Sequence, residues 1–313
     1  MHPIRHLLST IPHRPMRFRL FFLALAVVLV PGAFAQQNFD NVQIEVVDVA
    51  EGVYMLVGRG GNIGVSVGDD GVFLIDDQYA PLTEKIKAAV ATKSDQPIRF
   101  VVNTHWHGDH VGGNENMGEA GAILVAHENV RKRMSADQFM EAFNRTVPAS
   151  PPGALPVITF TDAMTFHWND DDLHVFHVEH AHTDGDAIIH FKEANAVHMG
   201  DTYFNGFYPF IDVSSGGGID GMIGAADAVL ALSDDATKII PGHGPLSNKA
   251  ELQAYRDMLA TARDRIHKLV SEGKSQEEVV AAKPTSDLDA EWGGGFMQPD
   301  VWVGLVYMSL AGQ

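Results

Sequence analysis

Four potential metal ligands fall within six residues in the stretch Thr104-His105-Trp106-His107-Gly108-Asp109-His110. Imidazole and carboxylate are groups that divalent zinc accepts, at about 2.0–2.2 Å. The cluster follows the apolar run Ile98 to Asn103, which reads as a buried strand. A short irregular loop at a strand end can fold back so that several ligands converge. Strand alternation would send His105, His107 and Asp109 to one side and His110 to the other, and that split predicts two metals. Three further candidates stand downstream, each at the end of a predicted strand in a glycine-bearing turn. They are His182 in His182-Thr183-Asp184-Gly185-Asp186, Asp201 in Met199-Gly200-Asp201, and His243 in Gly242-His243-Gly244. Loop ends on a rigid scaffold are where sites are built.

Composition narrows the chemistry. The 313 residues include no cysteine, so disulfides, thiolate nucleophiles and sulfur-ligated zinc are excluded, and ligands must be His, Asp or Glu. With 45% hydrophobic residues the chain can build a sizeable core. Its formal charge of -18 works against binding a polyphosphate backbone, so a small-molecule substrate is expected and nucleic acid is not. Residues 1–35 carry Arg5, Arg14, Arg17 and Arg19, then the apolar run Leu20 to Val30, then Ala33-Phe34-Ala35. This pattern predicts a secretory signal peptide cleaved after Ala35 and a periplasmic or secreted protein. The apolar run is too short for a span of ~20 residues, so no stable membrane insertion is expected after cleavage. Removing four arginines and no acidic residue takes the mature charge to -18 - 4 = -22.

The positioning elements read as follows. Short alternating runs at Gln43–Val47, Val53–Val57, Ile63–Val67 and Gly71–Ile75, separated by glycine turns, predict antiparallel hairpins. Pro81 to Lys93 has helical spacing, as does Glu128 to Arg145, and Ala122–Ala126 reads as a strand between them. Pro148 to Gly153 reads as the link to a second half, with strands at Ile158–Phe160, Leu173–Val178, Ala187–Phe191, Ala196–Met199 and Lys238–Ile240 and a helix at Ile219–Leu232. Helices at Lys249–Ser271, Ser275–Ala282 and Val301–Leu310 follow. The predicted class is α/β (α+β): a four-layer αββα sandwich of two mixed β-sheets with outer helices, the metal site at one edge, and a helical C-terminal extension. The predicted divisions are 1–35, 36–248 and 249–313.

The order HxHxDH, HTxGD, GD and GHG resembles the metallo-β-lactamase fold superfamily across roughly residues 42 to 245, with the aspartate pattern of its glyoxalase II and lactonase members. The resemblance implies a first zinc bound by His105, His107 and His182, a second bound by Asp109, His110 and His243, and Asp201 bridging both. It implies a binuclear hydrolase in which a hydroxide shared by the ions attacks a carbonyl, with Asp109 orienting that hydroxide; ions of this kind sit about 3.5–4 Å apart. Zinc is the expected cofactor, ahead of iron or manganese. A β-lactam, lactone or other acyl bond is the expected target; a thioester hydrolase similar to glyoxalase II and an iron-dependent oxidoreductase on the same fold are the alternatives. One β-lactamase subclass has a lysine three residues after this aspartate, where Phe204 stands here.

Other residues have supporting roles in this reading. Asp76, following the apolar strand, is expected to accept a hydrogen bond from a ligand histidine and fix its tautomer. Trp106, Tyr203, Phe204 and Phe207, with Tyr208 and Phe210, are expected to wall an apolar substrate pocket. His174, His177, His180, His190 and His198 are read as structural or exposed.

Overall fold

Period-two apolar patterning builds most of the layers that position the motif loops. The computed structural model describes residues 38–311. The signal peptide predicted at 1–35 lies outside the described residues. The first half contains β1 (Glu45–Ala50), β2 (Val53–Val57), β3 (Ile63–Ser66), β4 (Val72–Ile75), α1 (Thr83–Val90), β5 (Ile98–Asn103), α2 (Gly108–Val111), α3 (Asn114–Glu119), β6 (Ile123–His127), α4 (Glu128–Met134), β7 (Gln138–Met140), β8 (Arg145–Val147) and β9 (Ile158–Phe160). The second contains β10 (Ala163–Trp168), β11 (Asp171–His177), β12 (Ala187–Phe191), β13 (Ala196–His198), α5 (Ile219–Leu232), β14 (Lys238–Ile240) and β15 (Ser247–Asn248). Helices α6 (Lys249–Ser271), α7 (Gln276–Ala281), α8 (Asp289–Trp292) and α9 (Pro299–Ala311) complete it.

One sheet has the order β1-β2-β3-β4-β5-β6-β9 and the other β10-β11-β12-β13-β14-β15. Both are mixed: β4, β5, β6 and β9 run parallel, as do β13 and β14. Alternation sorts the side chains between layers. On β4, Phe73 and Ile75 meet Leu173, Val175, Ile189 and Phe191 of the other sheet, while Val72 and Leu74 meet Leu82, Ile86 and Met117 on the helical side. On β12, Ile189 faces the inter-sheet core and Ile188 faces Met222, Leu259 and Trp302 of the outer helices. The αββα sandwich follows, and each fully buried side chain of this kind contributes about 1.5–3 kcal/mol. The described residues from Phe39 onward form one compact unit, with α5, α6 and α9 sharing a single apolar cluster. No helix among the described residues is long and apolar enough to cross a membrane.

Two expectations are corrected and two strands are added. The helix predicted over Glu128–Arg145 stops at Met134, and residues 138–147 form a separate antiparallel hairpin pairing Gln138 with Val147 and Met140 with Arg145. Phe139, Met140 and Phe143 mimic helical spacing, but Asn144 adopts a left-handed turn (φ 45°) and Phe139 is exposed. The division between halves falls after Phe160 rather than at 148–153, because β9 pairs with β6. The strand β10 lies outside the predicted strands although Met164, Phe166 and Trp168 alternate along it, and β15, with only two residues, carries no pattern to read.

Topology brings the motifs to one edge. β4 and β5 are parallel, so Asp76 and the 104–110 loop emerge at the same end. β11 and β13 are each antiparallel to β12, and β13 is parallel to β14, so His182, Asp201 and His243 also follow strands ending on one side.

Candidate metal centre

His105, His107, His182 and Asp201 each offer one ligand atom, and these atoms lie within 4.8 Å of one another; Asp109, His110 and His243 form a second such group. Asp201 joins the two. Its Oδ2 lies 3.5 Å from His182 Nε2 and 3.8 Å from His105 Nε2, while its Oδ1 lies 3.0 Å from His110 Nε2 and 3.4 Å from His243 Nε2. Asp109 Oδ2 is 3.3 Å from His243 Nε2. All seven candidate residues therefore converge. Asp109 falls with His110, not with His105 and His107 as strand alternation predicted, because Gly108–Val111 winds into a helical turn and the period of two no longer applies.

Four of the five candidate ligand histidines are oriented through their other ring nitrogen. His110 Nδ1 donates to Asp76 Oδ2 (2.7 Å), His182 Nδ1 to the Phe210 carbonyl (2.8 Å) and His107 Nε2 to Asp212 Oδ2 (2.9 Å). The Thr104 hydroxyl donates to Asp76 Oδ2 (2.7 Å) and so accepts from His105 Nδ1 (3.0 Å). In the neutral rings these bonds turn His105 Nε2, His107 Nδ1, His110 Nε2 and His182 Nε2 into the cluster as acceptors, His182 Nε2 and His107 Nδ1 lying 2.8 Å apart. Asp76 also accepts from the Thr104 amide (2.7 Å), so one carboxylate orients both His105 and His110.

The loops are pinned in the same way. Asp186 accepts from the His182 amide (2.6 Å) and from the Thr183 amide and hydroxyl, which fixes the turn carrying His182. Asn62 donates to the carbonyls of Pro241 and Gly244 (2.9 Å each) and braces the turn carrying His243. His198 is structural: it accepts from the Gly200 amide and donates to the Asn62 carbonyl. Gly242 is required by close approach, since a Cβ there would sit 2.1 Å from Asp201 Oδ1.

Electrostatics differ between the groups. Burial, then the positive charge of His110, holds His105 well below the usual imidazole value, and burial takes His182 down to about 4. Burial opposes protonation of His110 and His243 too, but Asp201 and Asp109 outweigh it, with Asp76 adding at His110; His243 rises to about 9. Burial pushes Asp109 and Asp201 up, yet the neighbouring histidines prevail; Asp109 falls to about 2 and Asp201 lies well below the usual range. His105 Nε2 is buried with no hydrogen-bond partner, while His110 Nε2 and Asp201 Oδ1, equally buried, face each other at 3.0 Å. Buried imidazole nitrogens and carboxylate oxygens crowded at one point, with His105 Nε2 lacking any donor, fit divalent cations.

Asp212 is a residue that sequence reasoning missed. It is buried, accepts from His107, and is itself held by the Ser214 hydroxyl and the Ser215 amide. Asp212→Ala is expected to weaken metal binding by about 10- to 100-fold, as loss of such outer carboxylates does, measured by competition with a chromophoric chelator. An affinity within twofold of the parent would show that Asp212 does not orient His107.

A cavity of about 370 Å³ opens on Asp109, Asp201 and His243 and is walled by Tyr79, Trp106, Met140, Phe143, Arg145 and Phe210. Phe207 lines it as expected. Tyr203, Phe204 and Tyr208 do not. Tyr203 is fully buried, its hydroxyl bonded to Ser247 (2.7 Å), Tyr208 bonds Asp289 (2.8 Å), and Phe204 stacks on the His243 ring (5.2 Å, 18°). The turn after Asp201 is drawn inward, with the Asn205 amide bonded to the His243 carbonyl.

Comparisons agree with this geometry. The chain is 25% identical over 224 residues to the beta-lactamase-like protein 2 homolog of Caenorhabditis elegans, covering 70% of this chain and 68% of that one. It is 27% identical over 217 residues to the hydroxyacylglutathione hydrolase of Nitrosococcus oceani, covering 67% and 72%. The fold resembles a metallo-beta-lactamase from Pontibacter korlensis with a TM-score of 0.56 at 20% identity, over 70% of this chain and 99% of that one. The family profile matches residues 56–243, a span that holds every one of the seven converging residues, and the chain belongs to the metallo-beta-lactamase superfamily.

Proposed function

We propose that this protein is an exported, zinc-dependent hydrolase of acyl bonds, with two ions held by His105, His107 and His182, by Asp109, His110 and His243, and by Asp201 between them. The observation that carries this reading is the Asp201 carboxylate, whose two oxygens face two separate groups of donors. Zinc ions bound there would draw a nucleophile from water near neutral pH and polarise the scissile carbonyl. The chain's own residues do the rest. Asp76, Asp212 and the Phe210 carbonyl keep the ligand nitrogens bare and aimed. Asp109, on the cavity wall, would accept a hydrogen bond from the attacking water and orient it. Trp106 and Phe210 exclude bulk solvent, which strengthens each charge interaction inside. Export rests on the basic and apolar leader at residues 1–35.

A thioester is the second substrate reading, favoured by the likeness to the hydroxyacylglutathione hydrolase of Nitrosococcus oceani. The test is a panel of chromogenic β-lactam, lactone, ester and thioester substrates offered to the zinc-loaded protein. Hydrolysis abolished by chelation and restored by zinc is expected for at least one class. Absence of metal-dependent hydrolysis across the panel, or iron content with oxygen consumption, would overturn the hydrolase reading.

A further inference from the structure

Arg145 is the one lysine or arginine on the wall of the cavity among the described residues. It opens β8 opposite Met140 on the hairpin, and Phe143 ties that hairpin to the cavity through its ring contact with Phe210 (4.9 Å). Elsewhere on the surface, Arg133, Arg256 and Arg265 each fork onto a carboxylate. The Arg145 guanidinium has no ion pair among the described residues, although the chain carries a formal charge of -18. Its charge is felt at Tyr79 on the same wall, where it opposes the burial and the Asp109 charge that raise the phenol. An unpaired guanidinium over a mostly apolar chamber presents a planar fork that matches a carboxylate.

We propose that Arg145 is a specificity-determining residue that anchors a carboxylate of the substrate. The substrate class is then a largely apolar acyl compound carrying a carboxylate in addition to the bond that is cleaved. The apolar body lies against Trp106, Phe143 and Phe210, and the hydrolase reading supplies the cleaved bond. An anionic group also has to overcome the acidic field of the whole protein, so a fixed cation beside the site decides which anions dwell there.

The test compares two esters with the zinc-loaded full chain: the mono-para-nitrophenyl ester of glutaric acid and its uncharged methyl diester. kcat/KM is expected to favour the carboxylate, and Arg145→Ala is expected to reduce that preference by about 10- to 100-fold, chiefly through KM, as for loss of a charge-assisted hydrogen bond. Arg145→Lys keeps part of the preference, Arg145→Glu reverses it, and salt weakens it. A preference that survives Arg145→Ala and Arg145→Glu overturns the anchor while leaving the hydrolase standing. If neither ester turns over, the hydrolase reading is in trouble, and calorimetric binding of phenylbutyrate against phenylbutyramide still decides the anchor. Tighter carboxylate binding lost in Arg145→Ala supports it, and equal binding of both probes overturns it.

Discussion

Replacing Asp201 by alanine is expected to lower kcat/KM by about 10³-fold or more, because in the proposed two-ion site a carboxylate shared between the ions would support several kcal/mol of transition-state stabilisation. Both of its oxygens are committed, Oδ1 toward His110 and His243 and Oδ2 toward His105 and His182. Among the described residues Asp201 is the carboxylate that contacts both groups, and its truncation leaves Asp109 to face His243 and His110 without it. Asp201→Asn separates charge from shape: the amide fills the same volume but presents N–H groups to one of the two sets. Both variants are expected to lose metal as well as rate, which elemental analysis beside steady-state kinetics would read. An Asp201→Ala protein that keeps two metals and a tenth of the parental kcat/KM would remove Asp201 from the centre of the site.

Asp76→Ala is expected to be the most damaging change to stability near the site. The carboxylate is fully buried and accepts from the Thr104 amide, the Thr104 hydroxyl and His110 Nδ1. Each donor left without a partner in the interior costs about 1–3 kcal/mol, so at least about 3 kcal/mol is expected in denaturant unfolding of chelator-treated protein. Asp76 also sits at φ 64°, which aspartate tolerates better than alanine, and that adds about 1–2 kcal/mol. Asp76→Asn retains an acceptor for the Thr104 amide but sets an N–H group against the Thr104 hydroxyl and the His110 N–H. It is therefore expected to lose metal affinity by about 10- to 100-fold. A loss of stability under about 1 kcal/mol for Asp76→Ala would show that the three donors find water or other partners.

Much of the site was legible in the sequence because its ligands cluster in short loops with their own signatures. Asp76 could be anticipated from its place after an apolar strand. Asp212 could not: it lies 105 residues from His107, in a turn without a motif, and only the packing of the two halves brings them together. Asn62 is hidden for the same reason, 179 residues from Pro241. Local periodicity failed at two places. Residues 138–147 carry a helix-like apolar spacing that a left-handed Asn144 turns into a hairpin, and 108–111 leave the strand geometry that alternation assumes. The pocket wall was read in part, since Trp106 and Phe207 reach it while Tyr203 and Phe204 are claimed by the core and by His243. That the wall includes Arg145 depends on the hairpin and was out of reach.

The most direct measurement is the number of zinc ions that the full chain binds tightly, determined by elemental analysis after reconstitution and dialysis, with Asp109→Ala measured alongside. Two ions per chain are expected, falling to one in Asp109→Ala, since Asp109 belongs only to the group with His110 and His243. A parent chain that retains one zinc or none while hydrolysing its substrate at full rate would contradict a two-ion centre.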